Sequence, residues 1–434
     1  MKKPLLSAIT ALMFASQVLA ETTVIHAGTL LAEPGTPPLK KYSVVIEDGV
    51  ITDVAMGYLD RPDAKIIDLK RSFVMPGLMD MHVHLQGELG PENDSETLRM
   101  SNPAMQMRSQ LFAMRTLKAG FTTVRDAGNS GEEMYALRDA INNGWVDGPR
   151  IIAAGGVGIT GGHADISGMS PELMAYHDEK NKTICDGPYD CRRATRHAIK
   201  YGADLIKITS TGGVLTDRAT GTGLQMESDE LREVVQAAQR MGRKVASHAH
   251  QEDGIIAALE AGVDSIEHGT YAGPISHRLF RKSGAYLVPT LLAGDTVVQM
   301  AKNTNILTES QKAKAIRVGA DMQGNFAKAV DAGVKIAFGT DSGVSKHGEN
   351  AREAVLMHMA GMDNMSIIQS ATVNAADLID MSNTIGTLEV GKQADIIATD
   401  GSPLENIEEL LDVDFVMKGG KVFVDKSAAT MEVL

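Results

Sequence analysis

Positive charge, cysteine and long apolar runs are all in short supply in this chain. Lysine and arginine number 42 against 55 aspartates and glutamates, a formal net charge of −13. An acidic surface repels phosphate backbones and anionic lipid, so neither nucleic acid nor a membrane surface is an expected partner. Beyond the first twenty residues no stretch reaches the roughly eighteen consecutive apolar residues of a membrane-spanning helix. Only two cysteines occur, Cys185 and Cys191, and no second Cys/His pair stands near them, which argues against a zinc site built on sulfur. They flank the turn-rich "DGPYD", where an exported chain is expected to form a local disulfide rather than keep two free thiols.

Export itself is read from the start of the chain. Lys2 and Lys3 precede a mostly apolar stretch over residues 5–18, and Val18-Leu19-Ala20 supplies small-residue cleavage chemistry before Glu21. That pattern is a secretory signal peptide cut after Ala20, and the expected location is periplasmic or secreted. The rest should be a soluble α/β protein with a large core.

Residues 21–74 read as short strands and turns ("TVIHAGTLL", "YSVVIEDGVITDV", "KIIDL"), and residues 385–434 read the same way ("GTLEVGKQADIIATD", "DFVMKGGKVFV"). The two ends are expected to build one small β-sandwich domain. Between them, over residues 75–384, short apolar strands alternate with helical segments such as "ESDELREVVQAAQRMG", whose apolar residues recur at helical spacing before a glycine. Eight such units predict a (β/α)8 barrel. Residues 157–195, long and turn-rich, are expected to be a covering over the active site.

"GLMDMHVHLQG", residues 77–87, places His82 and His84 one residue apart. On a strand both imidazoles point to the same face. Further barrel strands end in "LIKITS" with Lys207, "VASHAH" with His248, "SIEHG" with His268 and "FGTDSG" with Asp341. Each alone has an ordinary reading: a hydrogen-bonded core histidine, an ion-paired lysine, a helix-capping aspartate. Together, in barrel order and at the C-terminal ends of strands, they form a set suited to divalent metal.

With "VMPGLMDMHVHL" at its start and "GTLEVGKQADIIATDGSPLENI" at its end, the chain resembles the amidohydrolase superfamily over nearly its whole length. The resemblance implies a binuclear centre: His82, His84 and Asp341 on one divalent ion, His248 and His268 on the other. Zinc is the expected metal, and a carbon dioxide-derived carbamate on Lys207 is expected to bridge the pair together with a hydroxide. An ammonium facing two cations would be repelled, whereas a carbamate is a bidentate anion of the right reach. Asp341 would take the proton of the attacking hydroxide and pass it to the leaving amine. Deaminase branches carry a glutamate where this chain has Gln251, which disfavours that reaction. The pieces "TGGH", "TSTGG", "SHAH" and "SIEHGT" are most similar to prolidase-like metal carboxypeptidases and to amidohydrolases that hydrolyse ochratoxin A.

Substrates implied by that branch are N-acyl amino acids and dipeptides, with ochratoxin A cleaved to phenylalanine plus ochratoxin alpha. The runner-up is a lactone, cyclic-amide or phosphoester hydrolase on the same scaffold. His163, His250, Tyr271 and Arg218 are the candidate substrate contacts. Arg125 and Asp126 are read as structural ion pairs, His26 as part of the sheet domain, and His197 and His358 as helix residues. His177, His277 and His347 are read as solvated. The resemblance also implies a homo-oligomer, as large as an octamer.

Overall fold

The computed structural model describes residues 22–426 apart from 93–94, 97–98, 129–130, 167 and 217–220. Residues 1–20, where a signal peptide is expected, and Arg218 therefore lie outside the described residues.

Four strands from the start of the chain, β1 (Thr22–Leu30), β2 (Leu39–Glu47), β3 (Val50–Met56) and β4 (Lys65–Pro76), form part of a seven-stranded sheet. A second run of strands, β5 (Leu78–Val83), β6 (Phe121–Asp126), β7 (Arg150–Ile159), β8 (Ile184–Cys185), β9 (Leu205–Thr209), β10 (Lys244–Ala249), β11 (Ser265–His268), β12 (Tyr286–Val288) and β13 (Lys335–Ile336), forms the barrel sheet. The last three, β14 (Ile396–Thr399), β15 (Phe415–Lys418) and β16 (Lys421–Asp425), return to the first sheet, whose order is β16-β15-β14-β4-β1-β2-β3. Both termini thus build one sheet, as expected. β4 joins them, running parallel to β1 and antiparallel to β14. Ile25, Val44, Ile67, Ile396 and Phe415 meet in its own buried core.

β4 passes almost directly into β5 through Gly77. A Cβ there would sit 2.3 Å from Thr122 Oγ1, so only glycine lets the chain cross at this point. The barrel strands are parallel, in the order β13-β12-β11-β10-β9-β7-β6-β5, with β8 attached to β7. β9, "LIKIT", is buried at every position, as a strand covered on both faces must be. Closure comes from Met81 N donating to Phe338 O (2.8 Å) and Asp341 N to His82 O (2.7 Å), which sets the first and last strands side by side.

Residues 157–195 are more regular than their composition suggests. They contain the end of β7, a helix Pro171–Lys180, β8 and most of a helix Pro188–Lys200, with Cys185 and Cys191 joined as a buried disulfide. The prolines that read as turn signals stand in the first turns of these helices, where proline has no hydrogen bond to lose. After β12 the chain bends at Thr290 and forms two helices, Leu291–Asn303 and Glu309–Asp331, before β13. Two histidines expected to be solvated are buried. His277 packs inside the helix Pro274–Ser283, and His347 stacks on Phe112 at 4.7 Å with its Nε2 3.0 Å from Gly87 O.

Candidate metal centre

A cavity of about 250 Å³ opens at the C-terminal ends of the barrel strands, where this architecture places its chemistry. His82, His84, Lys207, His248, His268 and Asp341 all line it, and so do His163 and His250. Barrel closure brings the first and last strands together, so Asp341 Oδ1 lies 2.9 Å from His84 Nε2 and 3.6 Å from His82 Nε2. The rings of His82 and His268 are 5.2 Å apart, and those of His248 and His268 are 4.5 Å apart. Among the described residues that line the cavity, two triads have ligand atoms within 4.8 Å of one another: His82 with His268 and Asp341, and His248 with His250 and His268. His268 belongs to both, and His250 stands as close to the centre as the expected ligands do.

Backbone strain is concentrated here. His268, Thr290 and Asp341 have φ of 70°, 51° and 59°, a left-handed conformation that non-glycine residues adopt at a cost and that recurs at functional sites.

Several neighbours fix the imidazoles. Glu267 Oε2 lies 2.7 Å from His82 Nδ1, while Glu267 Oε1 accepts from Arg125 Nη2 (2.7 Å) and Ser265 Oγ (2.6 Å). Burial pushes the Glu267 carboxyl up, but Arg125 and His82 outweigh it and hold it down at about 2. An ionised carboxylate on Nδ1 directs the Nε2 lone pair of His82 into the cavity. Thr290 Oγ1 sits 2.7 Å from His268 Nδ1, Thr270 Oγ1 2.9 Å from His250 Nδ1, and Thr216 Oγ1 on His163 Nδ1, leaving the other nitrogen of each ring for the cavity. His248 differs, with Nε2 3.3 Å from Gly212 O.

Burial is the main reason that His82 and His163 fall to about 4, His250 to about 3, and His248 and His268 well below their ordinary value. These are neutral imidazoles, the form that binds metal. His84 is the exception: burial pulls it down, but the Asp341 carboxylate 2.9 Å away raises it overall. Lys207 is buried, and burial lowers its pKa toward the neutral amine that reacts with carbon dioxide; its Nζ lies 3.5 Å from Ala127 O.

Whether these residues suit a metal can be tested at Asp341. Its Oδ1 is buried and makes no hydrogen bond of acceptable geometry, although two imidazole nitrogens point at it. A buried carboxylate oxygen that makes no hydrogen bond to either ring is left without a bonded partner, and a divalent cation between them would supply one. The donor set of four to five imidazoles, one carboxylate and one lysine fits zinc or a similar ion.

The remaining sequence expectations divide. His163 and His250 enter the cavity. Tyr271 does not line it; its hydroxyl instead lies near Asp321 and Arg317 of the helix Glu309–Asp331. Arg125 does form a buried ion pair, with Glu267, whereas Asp126 accepts from Leu85 N at 2.8 Å. Glu267 and the three threonines went unnoticed in the sequence. Glu267 and Thr270 stand within two residues of His268, whereas Thr216 and Thr290 carry no such signal in the sequence.

Residues 73–423 match the model of the amidohydrolase family. The ochratoxinase of Aspergillus niger is 31% identical over 434 residues, spanning 95% of this chain and 88% of the relative. A Xaa-Pro dipeptidase crystallised with methionine in its active site superposes with a TM-score of 0.88 at 40% identity, over 93% of this chain and 100% of that one. A prolidase structure with N-methylphosphonate-L-proline gives 0.85 at 30% identity over the same shares.

Proposed function

The chain belongs to the amidohydrolase family, and from that premise we propose that it is an exported, binuclear metal-dependent hydrolase of N-acyl amino acids or dipeptides. That it hydrolyses amide or peptide bonds follows from its family and from its likeness to an ochratoxinase and a Xaa-Pro dipeptidase. The observation that carries the finer reading is the buried Asp341 oxygen, without a hydrogen bond and facing His82 and His84 at the mouth of a cavity.

His82, His84 and Asp341 would hold one ion and His248 and His268 the other, with Lys207 between them as a carbamate. The neutral amine of Lys207 would bond to the carbon of carbon dioxide and release one proton, giving a carbamate anion; from the ammonium form two protons would leave. Two divalent ions, when bound, supply an acidified water and a charge that polarises the substrate carbonyl. Asp341 takes a proton from the attacking water and delivers it to the leaving amine, the step without which an amide nitrogen does not depart. His163 and His250, held through their Nδ1 atoms, are free to donate from Nε2 to the scissile carbonyl or to the substrate carboxylate.

The test is hydrolysis by purified protein of a panel of N-acyl amino acids, Xaa-Pro dipeptides and ochratoxin A. Release of a free amino acid, abolished by a chelator and restored by zinc, is the expected result. A metal-loaded protein that releases no amine from any amide would contradict the reading.

A further inference from the structure

The cavity has two walls of opposite chemistry. One carries the histidines, Lys207 and Asp341. The other is apolar and comes mostly from the helical hairpin between β12 and β13. Ala293, Gly294 and Val297 project from the helix Leu291–Asn303, Val318 and Met322 from the helix Glu309–Asp331, and Leu215 closes the side. Among the described residues, none in this wall is ionisable. The two helices meet closely because their contact residues are small: a Cβ at Gly294 would sit 2.5 Å from Met322 Sδ, and one at Gly319 would sit 2.2 Å from Val298 Cγ2. Val297, Val318 and Met322 are all buried.

We propose that this hairpin wall sets the substrate class: one of the two groups flanking the cleaved amide is a compact, uncharged aliphatic, thioether or aromatic group. This inference rests on the amidase reading above for the position of the amide, with the scissile carbonyl at the polar wall. A group on the far side of the carbonyl then faces the hairpin. An apolar group there exchanges water for the side chains of Val297, Val318 and Met322. A carboxylate or ammonium there loses its water and, among the described residues of the wall, finds no partner. The space, near the lower end of roughly 300–1,000 Å³ for ligand pockets, suits a group of one or two residues and not a polymer.

Two measurements test it, and the first needs no turnover. Binding to the metal-loaded protein is measured calorimetrically for N-acetyl-L-leucine and N-benzoylglycine, which place the apolar group on either side of the amide, and for N-acetyl-L-aspartate and N-acetyl-L-lysine. At least one apolar ligand should bind about tenfold more tightly than both charged ones. A charged ligand that binds as tightly as the better apolar one overturns the proposal. Because binding is read directly, a protein that prefers apolar ligands yet cleaves none defeats the amidase reading and leaves this one standing.

The second measurement uses the best apolar ligand with Val297→Asp and Met322→Ala, each confirmed by melting temperature and metal content to be folded and loaded. Val297→Asp should weaken that ligand about tenfold and narrow its lead over N-acetyl-L-lysine. Met322→Ala should shift the preference toward bulkier apolar groups. Variants that are folded and loaded but keep the wild-type ranking overturn the proposal.

Discussion

Glu267 brings no ligand atom into the cavity, yet it decides which nitrogen of His82 does. It is fully buried, and the Arg125 guanidinium joined to it at 2.7 Å holds its carboxyl well below the usual range. Glu267→Gln keeps the shape but replaces the anion on His82 Nδ1 with an amide. Metal affinity, read by competition with a chelator, should fall by about 10–100-fold. The melting temperature should also drop, because Arg125 is left buried without its counter-charge. Unchanged metal affinity would show that the carboxylate does not orient the ligand.

Glu353 is a buried acid with the opposite fate. Burial raises it to about 8, although it accepts the N–H groups of Leu291 (2.9 Å) and Leu292 (2.6 Å). The folded chain therefore keeps a proton that the unfolded chain releases near 4.5. Its contribution to stability is complete below that value and is lost as pH rises through the folded pKa. Calorimetry from about pH 5 to about pH 9 should show the stability gap between wild type and Glu353→Gln shrinking. A gap that stays constant or widens would refute the protonated assignment.

Among the elements, the loop that follows β9 links two sides of the cavity. Lys314, buried on the helix Glu309–Asp331, donates to Gly213 O at 3.0 Å and to Thr216 O, and Thr216 in turn holds His163. Gly213 lies flat against that ring: a Cβ there would come within 2.1 Å of His163 Cε1. Gly213→Ala must therefore displace His163, and KM for a cleaved amide should rise about tenfold with metal content unchanged. Unaltered KM would remove His163 from substrate binding. The ligands were legible in sequence because a histidine, lysine or aspartate interrupts an otherwise apolar strand, as in "LIKITS" and "SIEHG". The apolar wall was not legible, since Val297, Val318 and Met322 sit at helical spacing and look like ordinary core. Glu267 was missed for a geometric reason. Alternation along a strand assigns it to the face opposite His268, but the left-handed backbone at His268 breaks that alternation. The helices at Pro171 and Pro188 were hidden by prolines that begin them.

At the scale of the molecule, the centre sits on the line where the barrel closes. His82 and His84 belong to the first strand and Asp341 to the end of the last, and only a few hydrogen bonds join the two. An ion held by both strands would tie that line together. Because the unfolded chain has no such site, metal at a thousand times its dissociation constant would stabilise the fold by about 4 kcal/mol. Chelation should thus lower the melting temperature by several degrees, and added zinc should restore it. The most direct measurement is metal per chain, by elemental analysis of purified wild type and Lys207→Ala. Two divalent ions in the wild type and at most one in the variant are the predicted result. A folded wild type that takes up no divalent ion, or a Lys207→Ala protein that keeps both, would contradict the bridged binuclear centre.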